Sequence, residues 1–108
     1  TVTLYWHALD ALPESYATFV HIVREGALWA QKDSAPNCGL APTMRWRPGE
    51  DIRDPHPILL SPTMPPGEYT LTVGMYSHVS GERLPIADGI GHPLGDEIVL
   101  DTITVVEP

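Results

Sequence analysis

An all-β, immunoglobulin-like antiparallel sandwich of about seven strands is predicted by three features of this sequence. Twelve prolines and nine glycines are scattered through 108 residues rather than clustered. Short runs rich in Val, Ile, Leu, Thr, Tyr and Trp lie between them. No apolar stripe of helical period persists; the nearest, Ala8 to Phe19, is broken by Pro13. A chain of 108 residues is expected to form one domain, large enough for a core without disulfide staples.

The first strand is predicted over Thr1 to Leu9, with Val2, Leu4, Trp6 and Ala8 on the core face. Asp10 to Ser15, with Pro13, is long enough for the chain to cross to a second sheet. Tyr16 to Val23 is apolar on both faces, which suits a central, doubly covered strand. Arg24-Glu25-Gly26 reads as a tight turn, and Ala27 to Lys32 as its hairpin partner. Asp33 to Gly49, with Pro36, Pro42 and Pro48, is the longest irregular segment.

Asp51 to Leu60 is predicted as a strand. Pro55 and Pro57 cannot donate to a ladder, so it belongs at an edge or at a bulge. Ser61 to Gly67 turns, and Glu68 to Tyr76 alternates most clearly, with Tyr69, Leu71, Val73 and Met75 on one face. A hairpin with Ser80-Gly81 near its tip follows, then a Gly-rich loop over Ala87 to Gly95. Asp96 to Val106 is the last strand. Its apolar pairs change phase near Asp101-Thr102, which predicts a β-bulge there.

Met64-Pro65-Pro66-Gly67-Glu68-Tyr69 has the form of a tyrosine corner, in which Pro65 and Gly67 set the turn and the Tyr69 hydroxyl returns to backbone near Pro65. That corner orders the chain by sandwich strand letters. Glu68 to Tyr76 becomes F, Asp51 to Leu60 E, Asp96 to Val106 G, Thr1 to Leu9 B and Tyr16 to Val23 C. Strand A would then be missing, the chain would be a fragment of a longer one, and an open sheet edge would be available for pairing with another copy.

Chemistry is sparse. Six basic against fourteen acidic side chains leave a net charge of −8, which disfavours nucleic acid and anionic lipid. No long apolar run is present to insert in a membrane. Cys38 is the only cysteine, so no internal disulfide forms. His7, His21, His56, His78 and His92 lack ligand spacing, and no metal or other cofactor is expected. His21 reads as a partly buried histidine bonded to a neighbour. The acids of Asp88 to Glu97 read as solvated loop charge rather than a calcium site. No nucleophile motif occurs, and a small hydrolase would lack its parts.

One candidate binding surface is Arg45-Trp46-Arg47, an aromatic between two guanidiniums, with Trp29 as a second platform for a sugar ring or a cation. Against it stands a packing role: Trp46 plugging one end of the sandwich while the arginines pair with Asp51 or Asp54.

Several segments together carry a family resemblance. They are Leu4-Tyr5-Trp6-His7-Ala8-Leu9, Phe19-Val20-His21-Ile22, Ala30-Gln31-Lys32-Asp33 and Pro42 to Glu50. Pro66 to Tyr76 and Gly81-Glu82-Arg83-Leu84-Pro85 extend it. The chain resembles the soluble C-terminal β-sandwich of bacterial multi-pass membrane glycosyltransferases of the dolichyl-phosphate-mannose–protein mannosyltransferase-like type. That resemblance implies an extracytoplasmic accessory module with no catalytic residue of its own. The expected role is binding or positioning of a glycan, an acceptor or a partner protein. The alternative is a structural module that oligomerises through its open edge.

Overall fold

The computed structural model describes residues 1–106. They form an all-β sandwich of eight strands: β1 (Val2–His7), β2 (Tyr16–Arg24), β3 (Ala27–Ser34), β4 (Asp51–His56), β5 (Gly67–Ser77), β6 (Ile86–Ala87), β7 (Pro93–Gly95) and β8 (Ile98–Val105). One 3-10 turn, Thr43–Arg45, interrupts the long connection between β3 and β4. One layer is the antiparallel pair β1–β4 and the other is the sheet β3-β2-β5-β8. These partners are those expected of strands B with E and C with F and G, with β3 added beside C.

Alternation on the strands builds the core. Tyr69, Leu71, Val73 and Met75 of β5 face inward with Val20 and Ile22 of β2, and Leu4 of β1 packs onto them with Met64. A second cluster at one end joins Ala8, Tyr16, Trp46, Ile52 and Met75. Trp6 packs against both clusters, so β1 carries the residue that links them. The outer face of β2 is covered too: Phe19 is fully buried, with the Arg83 guanidinium 4.5 Å above its ring. That ring lies where a Cβ on Gly74 would be, only 2.5 Å away, so the site needs a residue with no side chain.

The turns follow their chemistry. Glu25 and Gly26 both take positive φ, the two-residue hairpin form that matches strand twist. The Tyr69 hydroxyl donates to Pro65 O at 2.6 Å, as a tyrosine corner requires. Gly67 at φ 140 leaves room for the Arg24 guanidinium, which a Cβ would meet at 3.3 Å.

Three expectations need correction, and a fourth, the bulge in the last strand, holds. The first strand ends at His7, not Leu9, although the Ala8 amide still donates to Glu50 O at 2.9 Å. β4 stops at His56 rather than Leu60, because β1 supplies no partner beyond Val2 and Pro57 follows. Ala87 to Gly95 is no plain loop: β6 and β7 pair within it as a short hairpin whose Asp88 carboxylate accepts from the Ile90 and His92 amides. The phase change in β8 falls at Leu100, the residue skipped between Val99, opposite Thr72, and Asp101, opposite Leu71. A bulge causes it, beside Asp101-Thr102 as the sequence predicts.

Candidate functional site

The backbone polarity of β1 follows from one proline. Pro55 has no N–H and stands opposite Thr3, so those two residues share no ladder bonds. The bonded pairs are therefore Val2–His56, Leu4–Asp54 and Trp6–Ile52, and the Ala8–Glu50 bond continues the same phase. Thr3, Tyr5 and His7 turn their N–H and C=O groups away from β4. No strand pairs with that edge among the described residues.

Native sheets blunt open edges with proline, lysine or bulges. β4 carries Pro55 and β3 carries Lys32. β8 carries its bulge, and the Thr102 amide there is satisfied by Asp101 Oδ1 at 2.7 Å. β1 (VTLYWH) has none of these devices.

Beside this unprotected edge the two layers part. Leu4 and Trp6 of β1, Val73 of β5, and Ile98 and Leu100 of β8 line a trough of about 390 Å³. Tyr5 stands on its rim at 74% exposure, and Ile98 and Leu100 remain 39% and 47% exposed. These apolar residues sit at the seam between the sheets with no strand over them. The arrangement offers alternating backbone donors and acceptors above an apolar floor, which is what an extended polypeptide needs to dock.

A buried polar cluster holds β1 in place. Asp54 and His56 of β4 and Thr18 of β2 are all fully buried. Asp54 Oδ2 accepts from Thr18 Oγ1 at 2.6 Å, and from Trp6 Nε1 and His56 Nε2 at 2.9 Å each. Asp54 Oδ1 accepts from the Asn37 amide at 2.9 Å. His56 Nδ1 lies 3.1 Å from Lys32 O, so both ring nitrogens face oxygen. Burial pushes the Asp54 carboxyl upward, but the bonds from His56, Thr18, Trp6 and the Asn37 amide outweigh it and hold the acid below its ordinary value. The carboxylate thus ties both layers and the long connection to the indole of Trp6.

The other expected sites are dispersed. Trp46 is only 6% exposed, and its Nε1 donates to Ala41 O at 2.9 Å, so the indole plugs the end of the sandwich and offers no face to a ligand. Arg45 and Arg47 are exposed, but neither pairs with Asp51 or Asp54: Asp51 engages His7 at 2.6 Å, and Asp54 engages His56. Trp29 is 38% exposed on β3, in a shallow cup with Arg24, Glu25, Ala27 and Pro65, edge-on to Tyr69 with ring centres 6.1 Å apart. Tyr69, Pro65 and Gly67 form the corner described above.

His21 is largely buried, as its sequence setting suggests, but its Nε2 has no hydrogen-bond partner and only approaches Asp33 Oδ1 at 3.4 Å, so the expected bond to a neighbour is not made. Among the described residues no group of histidine, cysteine and acidic side chains has the arrangement of a metal site. Nor is any helix there long and apolar enough to cross a membrane. Sequence reasoning missed the Asp54–His56–Thr18–Trp6 cluster. The available signal was the period of two in β4, which places Asp54 and His56 on the face of Ile52. Compared with known proteins, the chain matches no family model, no curated protein and no solved structure.

Proposed function

We propose that this chain is a non-catalytic accessory module that binds a partner protein by accepting an extended segment along β1. The observation that carries the proposal is the unprotected edge of β1, with Thr3, Tyr5 and His7 facing outward beside the apolar trough. Main-chain pairing supplies affinity in such complexes, and the pocket under alternate side chains supplies selectivity. The family resemblance supplies the setting: the extracytoplasmic side of a bacterial membrane, next to a membrane-embedded glycosyltransferase. A homodimer through the same edge is the competing use.

The test is an NMR titration of the chain with a heptapeptide alternating Val and Ser. The expected result is shifts at the Thr3, Tyr5 and His7 amides and at Leu100, all lost in Tyr5→Pro. That variant removes an outward N–H without touching the bonds to β4. Shifts elsewhere, or none at millimolar peptide, sink the proposal.

A saccharide reading rests on Trp29, whose half-exposed indole shares its cup with Arg24 and Glu25. Cell-envelope saccharides should then shift the Trp29 indole resonance, and silence across a panel of them removes this reading.

A further inference from the structure

The two facing layers differ in width, two strands against four. Their offset decides what fits at the open edge. Asp54 and His56 of β4 bond to Thr18 of β2 and to the Lys32 carbonyl of β3, so β4 lies across β2 and β3. Leu4 of β1 packs with Val20 of β2 and with Leu71 and Val73 of β5, so β1 lies across β2 and β5. β8 comes next to β5 in its sheet, and among the described residues no strand lies over it. Ile98 stands opposite Val73 and Ile103 opposite Tyr69, so β8 turns the same apolar face inward as β5 does. Ile98 and Leu100 are left open beside Leu4 and Trp6. Further along β8, Val105 lines a hollow of about 570 Å³ with Leu60, Met64 and Pro66. The wider layer thus overhangs the narrower one by a single strand.

From this overhang we infer that β1 receives one isolated extended segment of a partner protein, with branched apolar side chains at alternate positions, and not a second copy of this chain. This step rests on the reading of β1 as a docking edge. A strand paired with β1 lies ~4.8 Å beyond it, above β8. Its residues opposite Leu4 and Trp6 point inward and cover Val73, Ile98 and Leu100. Its residues opposite Thr3, Tyr5 and His7 point outward, on the face where Arg53 stands opposite Tyr5, and stay in water. Two apolar side chains with a polar residue between them therefore match the edge. A second copy does not fit. Pairing β1 with β1 of another copy would bring in that copy's β5, which lies beneath its own β1, where β8 already stands. An edge strand backed by a layer of its own meets the same obstruction. An isolated segment brings no second layer, and β8 becomes its floor.

The experiment titrates two heptapeptides into the whole chain by NMR, one alternating Ser with Val and one alternating Ser with Ala. The Val peptide should bind about tenfold more tightly, because its larger side chains bury more apolar surface on the floor. It should shift the Thr3, Tyr5 and His7 amides together with the methyl groups of Ile98 and Leu100. Leu100→Ser, which opens the floor and leaves β1 untouched, should bring the two peptides together. Equal binding of both peptides at β1, or a Val preference unchanged in Leu100→Ser, overturns the inference of a β8 floor while leaving strand docking intact. A concentration-dependent dimer that Tyr5→Pro abolishes also overturns it, because the occupant is then a second copy. Val-peptide binding that survives Tyr5→Pro, or no binding by either peptide, overturns the docking reading itself.

Discussion

Removing the charge of Asp54 tests the energetic centre of the fold. In Asp54→Asn the shape is kept but the acceptor set is not. The Oδ2 position serves Trp6, Thr18 and His56, and the Oδ1 position serves the Asn37 amide. A carboxamide has one oxygen, so either orientation aims an N–H₂ group at a donor. Breaking a buried pair by removing one partner costs about 3–5 kcal/mol. Total stability of a domain this size is about 5–15 kcal/mol, so the loss should be about a fifth of it or more. With a urea slope near 2 kcal/mol/M, the midpoint should fall by about 2 M. Thr18→Val, which removes the hydroxyl that reaches Asp54 Oδ2 at 2.6 Å, His56 Nε2 at 2.9 Å and Ser34 O at 3.3 Å, should cost about 1–2 kcal/mol and keeps the test readable if the first variant does not fold.

The acid limb adds a second readout. The folded carboxyl of Asp54 titrates below its ordinary value, so its contribution is fully present above the unfolded value of about 3.9. That contribution is lost as pH falls through the lower folded value. The parent chain should therefore lose stability on acidification below about pH 4, and Asp54→Asn should lose less over the same interval. An Asn variant within about 1 kcal/mol of the parent, with an unchanged acid limb, would refute the reasoning.

Three further outcomes follow from single contacts. Tyr69→Phe should cost about 1 kcal/mol by removing the 2.6 Å bond to Pro65 O, read as a shift in urea midpoint at constant slope. Gly74→Ala should cost about 1–3 kcal/mol, because its Cβ would fall 2.5 Å from the Phe19 ring; a neutral result would mean that ring moves freely. Tyr76 should ionise above the usual range for a phenol, raised by burial first and then by Asp33, whose Oδ2 accepts from its hydroxyl at 3.2 Å. Ultraviolet titration of Asp33→Asn should return part of that shift, and a titration identical to the parent would contradict the assignment.

The elements most legible from the residues were those whose signals are local. Alternation over Tyr69 to Met75 marks a half-buried strand because each residue reports its own face. The PPGEY run marks a corner because proline, glycine and tyrosine each constrain their own backbone or demand their own partner. From those two features the pairing of β1 with β4 and of β2 with β5 followed by sandwich topology. What stayed hidden is non-local. Trp46 next to two arginines looks like a binding platform until the 3-10 turn before it rolls the indole inward toward Ala41. Leu100 looks like a core residue of β8, and only the bulge opposite Leu71 and Thr72 leaves it at the trough.

The hidden cluster and the open edge are two consequences of one register. Trp6 must stand opposite Ile52 for its indole to reach Asp54, two residues along β4. That choice sets Pro55 opposite Thr3, where its missing N–H costs nothing on the β1 side. It also sets the phase that turns Thr3, Tyr5 and His7 outward. A slip by one residue would send Asp54 and His56 to the solvent face and bury Arg53 and Pro55 in their place. The buried carboxylate therefore does more than hold two layers together. Because its four donors come from β1, β2, the long connection and β4 itself, it pins β1 in the one alignment that leaves a straight, unprotected edge beside the trough. An edge held this firmly loses little entropy when a strand docks, since the ordering was completed on folding.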